Sequence, residues 1–337
     1  MSVCYRPLAQ VGPIRPQDAV ALAGGWAWFT HAEVLSRTEP SRVIPAQEIP
    51  EAQLAALTAP RAPIGGLDMG RPRVMGILNA TPDSFSDGGL HAAADDAIAA
   101  GQRMVAAGVD LLDVGGESTR PGAETVDPEE ESRRVVPIIA GLRDTGALIS
   151  VDTRKAAVAR AALEAGAGLI NDVSGFTYDP ALAAVAADAA VPVCVMHALG
   201  DPATMQKNPH YDNVLLDVYD FLAAQIAVLV GAGIARDRIV ADPGIGFGKK
   251  LEHNLTLLSG LSLFHGLGVP VLLGASRKGF IGTLGNAPLA GSRAGGSIGV
   301  ALAGVTQGVQ MLRVHDVPDT LQAITLWRAA ISGRRDD

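Results

Sequence analysis

The chain has 337 residues, which suits one large domain or two small ones. Its formal net charge of -8 argues against a general nucleic-acid surface or an anionic-membrane surface, so an anionic substrate would need a local cationic pocket. Two distant cysteines, Cys4 and Cys194, offer neither a disulfide framework nor a zinc motif, and no signal peptide precedes the first apolar segment. We therefore expect a cytoplasmic protein without a membrane or nucleic-acid partner.

The first 70 residues differ in composition from the rest of the chain. Eight prolines divide them into short pieces, and residues 51–57 form the one predicted helix, with Pro50 at its start. Trp26 and Trp28 indicate that the segment is at least partly folded, because tryptophan side chains favour burial. We interpret residues 1–70 as an N-terminal extension, which is either a packing addition to the main domain or a small docking module.

Residues 71–332 alternate between apolar strands and Ala-rich helices, and residues 333–337 form a polar tail. Eight strands alternating with eight helices predict a (β/α)8 TIM barrel. A doubly wound open sheet is the alternative, but it would show fewer strands and a Gly-rich fingerprint after the first one. The predicted strands are 74–78, 111–114, 148–151, 169–170, 193–196, 239–241, 271–273 and 311–314. The predicted helices are 92–107, 128–142, 155–164, 180–189, 214–230, 251–263, 294–307 and 318–331.

Polar residues occur at or just after the end of every predicted strand. Any one of them could simply cap the following helix, and Asp152 is a fair candidate for a plain cap. Eight such positions in succession instead predict a shared site, because the carboxyl ends of barrel strands meet on one face. In strand order, these positions are Asn79, Asp113, Asp152, Asn171, His197, Asp242, Ser276 and Arg313.

The acids and amides among these residues suit the recognition of a flat heterocycle. Asp152, Asn171 and Asp242 can between them donate to and accept from such a ring. A carboxylate matches two adjacent N–H donors, such as an amino group beside a ring amide, in a bidentate pair.

The cations come from the last two strands, where barrels commonly hold phosphate. Lys278, Arg313 and His315 predict an anion site there, since Arg matches phosphate oxygens bidentately. The carbonyl oxygen of Asn79 could bind Mg²⁺ beside a phosphate, because magnesium takes few protein ligands and keeps several waters. Further anion contacts could come from Ser118, Thr119 and Arg120.

Two of these residues have ordinary alternatives. Arg313 could form a structural ion pair with Asp316, and His197 could be a core histidine. The segment 244–249 lacks the Gly-x-x-x-x-Gly-Lys-Ser/Thr pattern of a phosphate-binding loop, and no Ser-His-Asp order or zinc spacing is apparent. The residues alone therefore predict a barrel enzyme with a ring-binding half and an anion-binding half, and leave the reaction open.

The motifs at the strand ends together resemble those of the dihydropteroate synthases, over about residues 72–330. The departures are small: Ala80 stands where valine is usual, and Ala198-Leu199 follow Met196-His197 where Met-Arg or Met-Gln is common. The matching motifs are Asn-x-Thr-Pro-Asp-Ser-Phe-Ser-Asp-Gly-Gly from 79, Gly-Gly-Glu-Ser-Thr-Arg-Pro-Gly from 115, Ser-Val-Asp-Thr-Arg-Lys from 150, Ile-Asn-Asp-Val-Ser-Gly from 170, Met-His from 196, Asp-Pro-Gly-Ile-Gly-Phe-Gly-Lys from 242, Ser-Arg-Lys from 276 and Arg-Val-His-Asp from 313.

The resemblance implies a transferase of folate biosynthesis. It would condense 6-hydroxymethyl-7,8-dihydropterin diphosphate with 4-aminobenzoate, giving 7,8-dihydropteroate and diphosphate. In the implied dissociative mechanism diphosphate leaves first, helped by Mg²⁺, and the arylamine captures the pterin cation. The loops 79–91 and 115–127 would close over the site, and a homodimer is implied.

The resemblance also implies residue roles. The pterin would be held by Asp152, Asn171, Asp242 and Lys278, the diphosphate by Thr119, Arg313 and His315, the Mg²⁺ by Asn79, and the aminobenzoate site would be bordered by Phe247 and Ser276. Arg120 adds to the substrate-binding set, and Lys278, Arg313 and His315 are the expected catalytic residues.

Two other functions fit parts of the pattern. A pterin-dependent corrinoid methyltransferase on the same barrel would share the Asp152, Asn171 and Asp242 set, but it has less need of a diphosphate site. A non-catalytic pterin-binding or docking protein would have a degraded site, yet no expected residue is missing.

Overall fold

The computed structural model describes residues 3–80, 89–118, 123, 125–200, 205 and 208–334. Its main body is a sheet of eight parallel strands in the order β11-β10-β9-β8-β7-β6-β13-β12. A parallel bridge between Ala241 and Val271 joins the two ends of this order, so the sheet closes and the predicted TIM barrel is confirmed. The strands are β6 (Arg73–Asn79), β7 (Leu111–Gly115), β8 (Leu148–Asp152), β9 (Leu169–Asp172), β10 (Val193–Met196), β11 (Ile239–Asp242), β12 (Leu272–Leu273) and β13 (Met311–Val314).

Helices follow the strands and cover the outside of the barrel. The predicted helix 251–263 is too long: α7 ends at Ser259, and after Gly260 the chain continues as a separate 3-10 segment, Leu261–Leu267. A short helix after β12, α8, was not predicted. The helices are α2 (Gly89–Ala106), α3 (Pro128–Leu142), α4 (Ala156–Ala165), α5 (Leu182–Ala189), α6 (Val214–Gly231), α7 (Leu251–Ser259), α8 (Gly279–Leu284), α9 (Ala294–Thr306) and α10 (Val317–Ser332).

The N-terminal extension is folded and packs against the barrel. Its strands form an antiparallel sheet, β1-β4-β5, and a two-stranded ribbon, β2-β3, around a small apolar core that includes Phe29 and Leu57. The Trp26 indole donates to the Val305 carbonyl at 2.8 Å, which ties the extension to α9. The elements are β1 (Cys4–Pro7), β2 (Val20–Ala21), β3 (Trp28–Phe29), β4 (His31–Leu35), β5 (Arg42–Pro45) and α1 (Glu51–Thr58).

The interior of the barrel has an apolar floor at the amino-terminal ends of the strands. Side chains alternate along each strand, so every second residue faces inward. Two residues that precede β6, Ile64 and Met69, pack into this floor from below. The remaining buried members of the floor are Met75, Leu111, Leu169, Cys194, Val240, Leu272 and Met311.

One barrel helix is long and apolar enough to meet the length and hydropathy of a membrane span. This helix is α6, Val214–Gly231, and 39% of it is buried inside the structure. Its Leu222, Ile226 and Leu229 side chains lie in the main core, and Arg37 of the extension pairs with its Asp217 at 2.6 Å. These contacts are those of a core helix.

Candidate active site

The polar side chains of the site lie one inward-facing step above the apolar floor. Leu111 is followed two residues later by Asp113, Leu169 by Asn171, and Val240 by Asp242. The same step on β13 leads from Met311 to Arg313. The strand register aligns Gly115 with Asp152 and Asp152 with Asn171, so the ends of β7, β8 and β9 are level. The floor therefore supports a polar layer to which several strands contribute.

A buried ionic cluster forms the centre of this layer. The Arg313 guanidinium donates from Nε to Asp113 Oδ2 at 2.6 Å and from Nη2 to Asp152 Oδ2 at 2.7 Å. Asp113 also accepts from Asn171 Nδ2 at 3.0 Å and from Ser150 Oγ at 2.6 Å. The structure thus brings together three residues predicted from sequence, Asp152, Asn171 and Arg313, around a second acid, Asp113.

That second acid, Asp113, was recognised in sequence only as a strand end. It is 0% exposed and accepts from three side chains, so it fixes the positions of Arg313 and Asn171. A signal was present: a carboxylate within the apolar strand Leu-Leu-Asp-Val, two residues after an inward-facing leucine, must itself face inward. A buried acid requires partners, and the inward-facing arginine supplies them.

Burial and pairing set the charges of this cluster. Burial opposes the charge of Arg313, but Asp113 and Asp152 outweigh it and raise the pKa of Arg313 above its usual value. Burial raises the pKa of Asp152, and the positive charge of Arg313 counteracts the rise. The alternative of Asp152 as a plain helix cap is wrong, since its carboxylate binds Arg313 and the N-cap position of α4 belongs to Lys155.

Asp242 stands beside this cluster at the end of β11. Its Oδ1 accepts from the Gly244 amide at 2.7 Å. Burial raises the pKa of Asp242 to about 6, while the Gly244 hydrogen bond and the Lys278 ammonium oppose the rise. Gly274 leaves room next to it: a Cβ there would lie 3.4 Å from Asp242 Oδ2. Asp242 is therefore a carboxylate at neutral pH, with the side-chain-free Gly274 beside it.

Lys278 and Phe247 form one wall of the site. The Lys278 ammonium lies 3.9 Å from the centre of the Phe247 ring, a cation–π contact. A Cβ at Gly246, where φ is +84°, would come 3.2 Å from the Lys278 side chain. The glycine loop that follows Asp242 thus packs directly against Lys278. Asp242 and Lys278, both predicted to bind the same ligand, are close enough for the Lys278 ammonium to oppose the rise in the pKa of Asp242.

Ser276 and His315 form a second wall. Ser276 Oγ lies 3.0 Å from His315 Nδ1 and also accepts from the His315 amide at 3.2 Å. Burial, followed by the charges of Arg277 and Arg313, lowers the pKa of His315 to about 4, so the imidazole is neutral at physiological pH. The suggested pair of Arg313 with Asp316 is wrong, because Asp316 binds Arg277 instead.

A second ionic cluster, which the sequence did not predict, ties the base of the β7–α3 loop. Glu117 pairs with Arg154 at 2.8 Å and with Lys155 at 2.7 Å, and it accepts from the Val126 amide at 2.7 Å. Lys155 also pairs with the buried Glu131. The two ends of the loop are therefore held together on α3 and α4. Thr119 and Arg120, predicted to bind substrate from this loop, lie outside the described residues, as does part of the β6–α2 loop.

Asn79, the predicted metal ligand, is the last residue of β6 and pairs in register with Gly115. In the described parts of the chain no group of three or more His, Cys, Asp or Glu could hold a metal ion.

The part of the chain that matches a known protein family lies within the barrel. Residues 75–315 match the family model for pterin-binding enzymes. The chain is 45% identical over 271 residues to the dihydropteroate synthase of Escherichia coli (strain K12), covering 80% of this chain and 95% of that protein. It is also 45% identical over 269 residues to the enzyme of Neisseria meningitidis serogroup B, covering 78% and 94%.

Solved structures give the same result. The dihydropteroate synthase of Xanthomonas albilineans with 4-aminobenzoic acid is 48% identical, with a TM-score of 0.76 over 80% of this chain and 98% of that one. A second structure of that enzyme, in complex with 7,8-dihydropteroate, is 45% identical with a TM-score of 0.73 and covers the same shares. Residues 1–70 lie outside the family match.

Proposed function

Because the chain belongs to the pterin-binding enzymes, as one of the dihydropteroate synthases, we propose that its polar layer condenses 6-hydroxymethyl-7,8-dihydropterin diphosphate with 4-aminobenzoate. The products are 7,8-dihydropteroate and diphosphate. The observation that carries the proposal is the convergence of Asp152, Asn171, Asp242 and Arg313 above one apolar floor. Neither the corrinoid methyltransferase nor the non-catalytic alternative is favoured, since the relatives compared are synthases.

The acids and the amide would hold the pterin ring. Asp242 is the acceptor for the paired N–H groups of the pyrimidine half, because its carboxylate is ionised at neutral pH and one oxygen already accepts from Gly244. Asp152 and Asn171 line the neighbouring strand ends and supply further hydrogen bonds. Lys278 approaches from the Phe247 wall, where its ammonium suits a ring oxygen or nitrogen acceptor.

The diphosphate would lie toward the β12–α8 and β13–α10 connections. Arg313 would supply a positive charge to the diphosphate. His315 is neutral and would donate a ring N–H without adding a second charge to the buried site. Both donate to the departing diphosphate, where negative charge develops. Thr119 and Arg120 complete the proposed anion set from the β7–α3 loop.

Asn79 would hold Mg²⁺ beside the diphosphate. Its amide oxygen is the hard donor that magnesium prefers, and one protein ligand is enough when phosphate oxygens and water fill the remaining positions. When bound, the ion neutralises charge on the leaving diphosphate.

A dissociative order of events suits this set of side chains. A dissociative step needs no protein nucleophile, and the described residues of the site can bind and orient the two substrates. Arg313 and His315 stabilise the departing diphosphate, and the ring held by Asp242 keeps the methylene carbon open to the arylamine. Phe247 and Ser276 border the arylamine position; a relative from Xanthomonas albilineans was solved with 4-aminobenzoic acid.

We further propose that the protein is a cytoplasmic homodimer. Residues 71–332 would form the catalytic domain, and residues 1–70 an N-terminal extension. The extension is attached by buried contacts, such as the Ser262 hydroxyl donating to the Pro7 carbonyl at 2.8 Å. That arrangement supports a packing role for the extension.

The decisive test is turnover by the purified full chain. With pterin diphosphate, 4-aminobenzoate and Mg²⁺, we expect dihydropteroate and diphosphate in equal amounts, detected by chromatography and a phosphate-coupled assay. Omission of 4-aminobenzoate should prevent formation of dihydropteroate. Absence of product from a folded protein that still binds a free pterin would overturn the proposed reaction and favour a binding protein.

A further inference from the structure

Lys249 is a buried lysine that the proposed reaction does not use. It ends the Asp-Pro-Gly-Ile-Gly-Phe-Gly-Lys motif and is 3% exposed. Its ammonium lies 2.8 Å from the Gly244 carbonyl, 3.0 Å from the Phe247 carbonyl and 2.8 Å from His197 Nδ1. A fourth acceptor, the His197 carbonyl, lies 3.2 Å away, so the ammonium is fully satisfied without a carboxylate in contact. Burial lowers the pKa of Lys249 to about 7, and the nearby Asp242 opposes this.

The histidine is suited to accept one of these bonds. Burial, and then the neighbouring Lys249, lower the pKa of His197 to about 2, so the ring is neutral and has one free acceptor nitrogen. Phe221 packs edge-on against the ring at 4.9 Å, which holds it in place. Lys249 therefore joins the loop after β11 to the residue that follows β10.

The loop itself runs close to β10. Gly244 has a φ of +68°, and a Cβ at this position would come 1.9 Å from the His197 carbonyl oxygen. Only glycine can make this approach, and the Lys249 ammonium bridges the same two backbone segments. The tether acts at the point where the loop is most closely packed.

Both ends of the tethered turn lead into the pterin site. At its start, the Gly244 amide donates to Asp242. At its end, the Phe247 ring lies under the Lys278 ammonium. A shift of this turn would therefore move a hydrogen-bond donor away from Asp242 and the aromatic support away from Lys278.

We propose that Lys249 is a positioning residue for the pterin: its ammonium fixes the Gly244–Phe247 turn on β10, and the turn in turn orients Asp242 and Lys278. The inference rests on the proposed function. A lysine buried only for stability would affect unfolding but would leave the affinity of the folded protein for pterin unchanged.

The test compares Lys249→Met with Lys250→Met in the full chain. Methionine has nearly the same length and no charge, and Lys250 is the exposed neighbour, so the control also loses a lysine of this loop but not a buried one. Binding of free pterin is measured by fluorescence titration after thermal melting has established that each variant is folded. We expect Lys249→Met to bind about tenfold more weakly than the wild type, the loss of a charge-assisted tether, and Lys250→Met to match the wild type.

A double-variant cycle separates positioning from general damage. Because part of the effect of Lys249 runs through the Phe247 ring, which supports Lys278, its substitution should cost less affinity in the Phe247→Ala background than in the wild type. A cost as large as in the wild-type background, or unchanged binding by folded Lys249→Met, would overturn the inference. If the wild type itself binds no pterin, the proposed function fails instead.

A second pair of variants keeps the test open if Lys249→Met does not fold. His197→Leu removes the acceptor, whereas His197→Asn keeps an acceptor oxygen near the position of Nδ1. We expect weaker pterin binding for the leucine variant and near-normal binding for the asparagine variant. Equal affinities for the two variants would contradict the role of the tether.

Discussion

Two layers of inward-facing side chains are stacked in the barrel interior, and on each strand they are two residues apart. In the floor, side chains such as Leu111 and Met311 are buried and apolar. In the layer above, Asp113 and Arg313 occupy the next inward positions of the same strands and are paired ions. The floor is stabilised by removal of apolar surface from water, whereas burial of the ions above it carries a desolvation cost. The floor thus stabilises a fold in which the upper layer can be specialised for a ligand.

Removal of Arg313 should have the largest effect on the stability of the fold. Arg313→Met leaves Asp113 and Asp152 buried without their counter-ion, and breaking a buried pair in this way costs about 3–5 kcal/mol of unfolding free energy. Urea unfolding measures the loss. The matched control is Arg277→Met, which breaks a more exposed pair with Asp316 and should cost less than about 1 kcal/mol.

The loss in Arg313→Met should also depend on pH. Burial holds the pKa of Asp152 above its unfolded value, and without Arg313 the rise is unopposed. Such a carboxyl destabilises the fold at pH values above its folded-state pKa and ceases to do so as the pH falls and it becomes protonated. The deficit should therefore shrink between about pH 8 and about pH 5. An equal deficit at both pH values would show that lost packing, not charge, dominates.

Truncation in the floor should separate stability from binding. Leu111→Ala removes a fully buried side chain directly below Asp113 and should cost about 2–5 kcal/mol through lost burial and a cavity. The folded variant should bind free pterin within about twofold of the wild type, as measured by titration at a temperature well below its melting point. A loss of affinity as large as the loss of stability would mean that the two layers are not independent.

Neutralisation of an acid in the upper layer should have the opposite effect: it should weaken pterin binding without lowering stability. Asp242→Asn replaces an ionised acceptor of two N–H groups by a neutral amide, which should weaken pterin binding by about 1.5–3 kcal/mol, or roughly tenfold or more. Stability should not fall, because burial disfavours the native carboxylate. Calorimetric titration and thermal melting report the two quantities. Unchanged pterin affinity would refute the role of Asp242.

The barrel could be predicted from sequence because its signals are local. Two strands, β10 and β13, begin and end where the apolar runs do, and α3 begins and ends at its predicted residues. Two strands of the extension, β2 and β3, were missed because they have two residues each and are too short for a period to be visible. The helix predicted through Gly260 was too long because α7 ends at this glycine, where a Cβ would come 2.7 Å from the Leu215 side chain.

The site residues that could be predicted from sequence are those at the carboxyl ends of the strands. Asp152, Asn171 and Asp242 were found because each follows an apolar run, and the family resemblance reinforced them. The partners of Asp113, Glu117 and Lys249 depend on contacts between residues far apart in the chain. Such pairings require the barrel geometry, which a single sequence pattern does not contain.

The smallest expected effect is a pH dependence that isolates one carboxylate of the upper layer. Burial raises the pKa of Asp242 to about 6. If its ionised form accepts the N–H groups of the pterin, affinity falls as the pH drops through this value, and should be about tenfold lower at about pH 5 than at about pH 7. Titration of the free pterin across this range measures the slope.

Asp242→Asn is the control for that slope, since it has no group to titrate at this position. The variant should bind weakly at every pH and should lose the part of the slope due to Asp242, whereas Leu111→Ala, whose change lies in the floor, should keep the full wild-type slope. A slope that survives in Asp242→Asn belongs to another group, with Asp152 as the first candidate because burial raises its pKa as well. In that case Asp152 at the end of β8, rather than Asp242, would be the main acceptor for the pterin ring. The pH dependence of binding would then report on the Arg313 cluster.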